Sequence, residues 1–310
     1  MGDIRLFSIA NGNAAELKGK ASDLEKPLQN LIEKNLDTLL GVRFLASEYS
    51  TGKTHAGRID TLGIDENDCP VILEYKRSTG ENVINQGLFY LDWLMDHKAE
   101  FKMLVIDFFG KEAANQIDWL SPRLICIAAD FTKYDSHAVQ QMNRNIELIR
   151  YRRFGEELLL LELANAVVSK TTPVVRTITR NEVQIENRTI RSGPDKTVVE
   201  WLADISPAML DLFGSIDNYL TSLGDDVLRK DLKLYIAFKK IKNFSTIVIQ
   251  KDKFLMYLRI NPDTVTQIDG FIRDVRTIGH WGTGDLEISI KSLADLESVK
   301  QLIQRAYEGN

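Results

Sequence analysis

The 310 residues carry 44% hydrophobic and 27% charged side chains, the balance of an ordinary globular protein, and the length favours two domains. A formal net charge of −5 argues against a broadly basic nucleic-acid-coating protein, though it leaves room for a nuclease whose metal ions and one basic face supply the positive charge. No apolar run approaches the roughly 20 residues of a membrane span, the first residues do not read as a secretion signal, and Cys69 and Cys126 lack metal-ligand spacing, which fits reduced thiols in a cytoplasmic protein.

Ile4 to Ile9 reads as a short leading strand or arm before the turn-rich Asn11-Gly12-Asn13. Ser22 with Glu25 is a capping-box pattern that opens a helix. Pro27 is tolerated in its first turn, and Leu28, Leu31, Ile32, Leu36, Leu39 and Leu40 give the apolar stripe before Gly41 stops it. Val42 to Tyr49 predicts a strand, and Ser50 to Ala56 a polar loop with a solvated His55.

The stretch Gly57 to Arg77 is the centre of the chain. Arg58 to Ile64 alternates apolar and polar residues, Asp65-Glu66-Asn67-Asp68 is a turn cluster, and Pro70 to Lys76 begins as a continuous apolar run. These features predict a β-hairpin whose second strand is buried on both faces. Asp60 lies on the first strand. Glu74 and Lys76 lie two apart on the second and so share a face. Carboxylates and an amine in an interior strand are costly unless they are paired or bind a metal, and oxygen ligands of this kind select Mg²⁺ or Mn²⁺.

After a loop, Val83, Ile84, Leu88, Leu91 and Leu94 give helical spacing, with Gln86 and Tyr90 one turn apart on one face. Core packing alone would account for Tyr90 and Trp93. Phe101 to Asp107 reads as a strand, Lys111 to Asp118 as a short helix, Arg123 to Ala129 as a strand and Asp135 to Arg144 as a helix. Ile146 to Phe154 and Glu157 to Leu163 are two late strands. On the first of these, Arg150 and Arg152 share a face, either as phosphate contacts or as a solvated edge.

Residues 1–169 thus form a first domain, of mixed α and β elements around one sheet. Residues 170–197, with Pro173, Gly193, Pro194 and four arginines, read as a basic linker. Residues 198–310 form an α+β domain with helices at Val199–Asp204, Pro207–Leu223, Thr264–Asp274 and Ser292–Tyr307. Its strands fall at Leu234–Phe238, Thr246–Gln250, Phe254–Ile260 and Leu286–Ile290. The loop Gly279 to Gly284 does not follow a strand and open a helix as a phosphate cradle does.

Asp60 followed by Glu74-x-Lys76 at the end of an apolar strand resembles the PD-(D/E)XK nuclease signature, with Ile59 in place of the name-giving proline. GRID…EYKR…Q resembles more narrowly the nuclease domain of NucS/EndoMS endonucleases, and Gln86-x-x-x-Tyr90 the extra motif of RecB-like members. The resemblance covers the first half of the chain. It implies a restriction-endonuclease-like α/β fold and a Mg²⁺- or Mn²⁺-dependent endonuclease acting on DNA, in repair or defence. Asp60, Glu74 and the Tyr75 carbonyl would be metal ligands and Lys76 and Gln86 catalytic groups. Glu25 of Glu25-x-x-Leu28-Gln29 would line the metal site, with Glu33 the alternative. Arg58, Arg77 and Tyr90 beside the motifs join Arg150 and Arg152 as expected nucleic-acid contacts, and the family's dimers make a homodimer an expectation. The second half resembles an uncharacterised domain, which leaves two alternatives: a non-catalytic nucleic-acid- or protein-binding module, or a ligand-binding transport accessory acting through that half.

Overall fold

The computed structural model describes residues 4–20, 25–52, 57–76, 83–168 and 196–309. The chain divides into two units, Met1–Ser169 and Lys170–Asn310. Among the described residues no helix is long and apolar enough to cross a membrane.

The first unit opens with an exposed antiparallel hairpin, β1 (Leu6–Ala10) and β2 (Asn13–Leu17). Helices α1 (Glu25–Lys34) and α2 (Leu36–Leu40) follow. The single helix expected over this stretch is therefore two, divided at Asn35, and Gly41 closes the second in the left-handed conformation (φ 63°). The proposed cap Ser22 lies outside the described residues.

Strands β3 (Val42–Ser50), β4 (Arg58–Asp65) and β5 (Pro70–Lys76) form an antiparallel meander. Helices α3 (Val83–Asp96) and α4 (Lys98–Gln116) then carry the chain over to β6 (Arg123–Ala128), which runs parallel to β5. Helix α5 (Lys133–Gln140) leads to β7 (Asn145–Phe154), parallel to β6, and β8 (Leu158–Val167) closes the sheet antiparallel to β7. The six strands stand in the order β3-β4-β5-β6-β7-β8. This is the mixed sheet flanked by helices that the sequence implied.

Strand β5 is central, and Val71, Ile72 and Leu73 are fully buried, as its apolar run requires. The expected strand at Phe101 to Asp107 is instead part of α4. A short apolar run fits either state, and here a parallel β5–β6 pairing needs a long crossover, which helices supply. Phe101 and Val105, four apart, are the residues that α4 buries there.

On one sheet face Leu62, Ile64, Ile72, Leu124, Cys126, Ile146 and Leu148 pack with Val83, Leu91, Trp93 and Leu94 of α3 and Phe101 and Val105 of α4. Both cysteines are free and buried. At the end of the sheet away from Lys76, Arg123 is buried between Asp65 and Glu147, with nitrogen–oxygen distances of 2.9 Å to each.

The second unit holds α6 (Val198–Asp204), α7 (Pro207–Thr221), β9 (Leu228–Asp231), β10 (Ile236–Lys239), β11 (Asn243–Ile249), β12 (Phe254–Leu258), β13 (Ile272–Asp274), β14 (Leu286–Ile290) and α8 (Leu293–Glu308). Its sheet is antiparallel in the order β13-β14-β12-β11-β10-β9. The helices pack on the face that carries Ile236, Phe238, Ile247, Phe254, Met256 and Ile288. The expected helix at Thr264–Asp274 is not formed. A single 3₁₀ turn at Pro262–Thr264 precedes a bend at Gly270 (φ 72°), and Ile272 then pairs with Ile288 at the sheet edge. In the glycine-rich loop His280 stacks on Tyr257 at 4.2 Å, which gives it a packing partner. The basic stretch of the linker lies outside the described residues.

Candidate active site

The β4–β5 ladder pairs Ile64 with Pro70 through Thr61 with Leu73 and stops there. One step further, side chains take over from ladder bonds. The Asp60 backbone N–H donates to Glu74 Oε1 at 3.3 Å, and the Tyr75 N–H donates to Asp60 Oδ2 at 3.0 Å. The two carboxylates thus meet on one sheet face, near the end where β5 and β6 stop together at Lys76 and Ala128. The N–H and C=O of a strand residue project to the same side, so the Tyr75 carbonyl also turns toward β4.

Glu74 is completely buried, and its Oε2 has no hydrogen-bond partner. Burial, followed by the charge of Asp60, pushes its carboxyl up to about 9. Burial also raises Asp60, while the Tyr75 N–H and the Lys76 ammonium pull it back down. Lys76 acts on both carboxylates in the same direction. An orphaned buried oxygen beside a second carboxylate is an expensive arrangement that a proton or a cation relieves.

Among the described residues no group of three or more His, Cys, Asp or Glu side chains is placed to hold an ion. Mg²⁺ commonly takes only one or two protein carboxylates and keeps several waters, so a pair such as Asp60 and Glu74 is not too few by number. Glu25, the first residue of α1, is half-buried, and its charge reaches Asp60. Glu33 is engaged elsewhere. It accepts the Thr61 hydroxyl at 2.6 Å and the Gln29 amide at 2.9 Å, and Thr61 projects to the sheet face opposite Asp60. Of the two glutamates, Glu25 is the one whose charge bears on Asp60.

Gln86 and Tyr90 share a face of α3, with Gln86 Nε2 3.3 Å from the Tyr90 hydroxyl. That hydroxyl accepts the Arg58 backbone N–H at 3.1 Å, two residues before Asp60. Tyr90 therefore ties the helix to the strand that carries Asp60. Gly57 permits the approach, because a Cβ there would lie 2.6 Å from the Tyr90 ring.

The expected basic contacts separate. Arg58 is exposed and paired with Glu48. Arg152 is half-buried with no acidic partner among the described residues. Arg150 is buried, bound to Asp130 at 2.7 Å and Glu162 at 2.9 Å, so its guanidinium is spent on the protein itself. Arg77 lies outside the described residues.

Three residues join the site without having been singled out from sequence. Gln29 is buried and donates to the Asp60 carbonyl at 2.8 Å. Lys26 donates to Gln29 Oε1 at 3.2 Å and to Glu48 at 2.7 Å. Glu48 adds its charge to that felt by Asp60. The Glu25-x-x-Leu28-Gln29 phrase contained the signal for Gln29. For Glu48 no local pattern existed.

Residues 198–310 match the family model described as a domain of unknown function, DUF5655. Two solved structures are weakly similar to this chain: a repair endonuclease from Pyrococcus abyssi (19% identity, TM-score 0.28) and an EndoMS complex with double-stranded DNA (17% identity, TM-score 0.24). Each match covers 42% of this chain, and the chain spans about half the length of either protein, 48% and 47%. Scores this low leave the architecture to be read from the strand order itself. An uncharacterised protein of Haemophilus influenzae (strain ATCC 51907 / DSM 11121 / KW20 / Rd) is 30% identical over 310 residues, covering 98% of this chain and 100% of that protein. The chain belongs to the same family as that Haemophilus influenzae protein.

Proposed function

We propose that the first unit is a divalent-metal-dependent nuclease that hydrolyses phosphodiester bonds in DNA. The observation that carries this reading is the buried carboxylate pair: Glu74 Oε2 without a partner, beside Asp60, with the Lys76 charge acting on both. Asp60, Glu74 and the Tyr75 carbonyl would hold Mg²⁺ or Mn²⁺, and Glu25 is placed to assist through water. A bound ion of this kind polarises a phosphate and lowers the pKa of a coordinated water.

The chain's own groups supply the remainder. Lys76 offers hydrogen bonds from Nζ to the attacking oxygen or to charge building on the phosphoryl oxygens. Glu74 must give up its proton before it can ligate an ion, so metal and proton compete at that carboxyl. Tyr90 and Gln86 hold the strand bearing Asp60 in register with α3, and Gln29 does the same from α1.

The test is cleavage of mismatched, branched, single-stranded and plasmid DNA with Mg²⁺ or Mn²⁺ against an EDTA control. Asp60→Ala, Glu74→Gln and Lys76→Ala should each lose at least a hundredfold in rate. Metal-independent activity, or three variants that cleave like wild type, would sink the proposal. Duplex binding with no cleavage under any condition would favour a binding module on the same fold.

A further inference from the structure

Strand β3 contains a residue in a conformation that its side chain disfavours. Glu48 has φ 53°, although its neighbours pair regularly, Ser47 with Thr61 and Tyr49 with Ile59. A non-glycine residue takes the left-handed region inside a strand only when its surroundings over-determine it. Here the Glu48 carboxylate gathers the Gln29 side chain and two cations. The Glu48 carboxylate receives Lys26 Nζ from α1 at 2.7 Å and Arg58 Nε from β4 at 2.5 Å. Both partners belong to elements that bear on Asp60: Lys26 reaches its carbonyl through Gln29, and Arg58 lies two residues before it on the same strand face.

We propose that Glu48 is a positioning residue that holds Lys26 and Arg58 as a joint receptor for a backbone phosphate of the nucleic acid next to the one cleaved. The inference rests on the nuclease reading above and adds to it a phosphate subsite on the Asp60 side. Two cations around one carboxylate leave a single net positive charge, matched to a phosphodiester. Arg58 uses Nε toward Glu48 and its side chain is 68% exposed, so its remaining N–H donors are open to a ligand. Lys26 is likewise 51% exposed. Without the central carboxylate the two cations would repel one another and lose their placement.

This role differs in sign from that of a bystander acid. Removing a bystander carboxylate near a polyanion tightens binding, because net positive charge rises. Removing a positioning carboxylate weakens binding even though the charge becomes more favourable.

The experiment uses the full chain and a labelled DNA duplex, with anisotropy in EDTA for binding and Mn²⁺-dependent cleavage for turnover. Glu48→Gly relieves the backbone and Glu48→Gln leaves it unchanged, so at least one of the two variants stays folded. Both should bind the duplex several-fold more weakly and lose roughly tenfold in kcat/KM, mostly through KM. Glu48→Gly combined with Arg58→Ala should lose little more than Arg58→Ala alone, since both act through one receptor. Binding that is unchanged or tighter, or losses that multiply independently, would overturn the inference. If wild type cleaves nothing, the anisotropy arm still decides: weaker binding by the Glu48 variants keeps the phosphate subsite while the nuclease reading falls, and unchanged binding removes both.

Discussion

Asp60 and Glu74 each hold the other's strand. Glu74 Oε1 accepts the backbone N–H of Asp60, while Asp60 Oδ2 accepts the N–H of Tyr75, the residue after Glu74. The regular ladder has just ended at Thr61 and Leu73, and these side-chain contacts replace it. Each carboxylate therefore spends one oxygen on structure. The Glu74 oxygen left over is sealed from water and unpaired.

That leftover oxygen should make the protein without added metal sensitive to alkali. The Glu74 carboxyl sits at about 9 in the folded chain against 4.5 for an ordinary glutamate, burial being the larger cause and Asp60 the second. Between those values the folded state binds more protons than the unfolded one, so stability falls as pH rises from 4.5 toward 9, by at most about 1.4 kcal/mol per pH unit from this group. In EDTA, Glu74→Gln should melt well above wild type at pH 8, and the gap should close near pH 5. Parallel melting curves for the two proteins across that range would contradict the assignment.

A divalent ion should reverse the deficit. Ligand present at a hundredfold over its Kd stabilises a folded site by about 2.7 kcal/mol. For a unit of this size each kcal/mol moves Tm by about 2–4 °C. Mn²⁺ should therefore raise the melting temperature of wild type by several degrees at pH 8, and less at pH 6, where the proton competes. Glu74→Gln and Asp60→Ala should show almost no shift. Equal shifts in all three proteins would place the ion elsewhere.

The parts of this site written as short-range pattern were legible in the sequence. The apolar run of β5 forces burial, and period-two spacing puts Glu74 and Lys76 on one face, so this pair could be read from the chain alone. What stayed hidden depends on partners far along the chain. Gln29 reaches Asp60 across 31 positions, and Glu48 meets Lys26 across 22 and pairs with Arg58 on the neighbouring strand. Arg150 reads in the sequence as part of a basic stretch, but Asp130 and Glu162, 20 and 12 positions away, neutralise it in the fold. The Phe101 to Asp107 run was ambiguous for a different reason: apolar content alone does not separate a buried strand from a buried helix.

The Tyr90 hydroxyl joins α3 to β4. It accepts the Arg58 N–H at 3.1 Å and lies 3.3 Å from the Gln86 amide, so Tyr90→Phe leaves the strand's donor without its partner. The expected cost is about 1–2 kcal/mol in denaturant unfolding, together with slower cleavage as the strand bearing Asp60 loosens. Gly57→Ala should reproduce both effects by pushing the ring away, since its Cβ would meet the ring at 2.6 Å. Gln86→Ala should cost less stability, because it leaves the Arg58 bond intact. A Tyr90→Phe protein as stable and active as wild type would show that the helix-to-strand tie does not matter.

The two buried arginines should respond very differently to truncation. Arg123 is fully enclosed with Asp65 and Glu147, whose side chains are 0% and 6% exposed. Arg123→Leu would leave two carboxylates buried together, a loss on the order of 3–5 kcal/mol. Arg150 has partners with an outlet to water, Asp130 at 48% and Glu162 at 32% exposed. Arg150→Leu should therefore cost only about 1 kcal/mol, because the freed acids can hydrate. Adding Asp65→Asn and Glu147→Gln to Arg123→Leu should recover much of the loss, since the penalty is the unpaired charge and not the missing ion pair. Urea unfolding of the three proteins decides the matter. If the single and triple Arg123 variants were equally unstable, lost packing around the guanidinium stem would account for the damage, and the buried charge would not be what punishes the substitution.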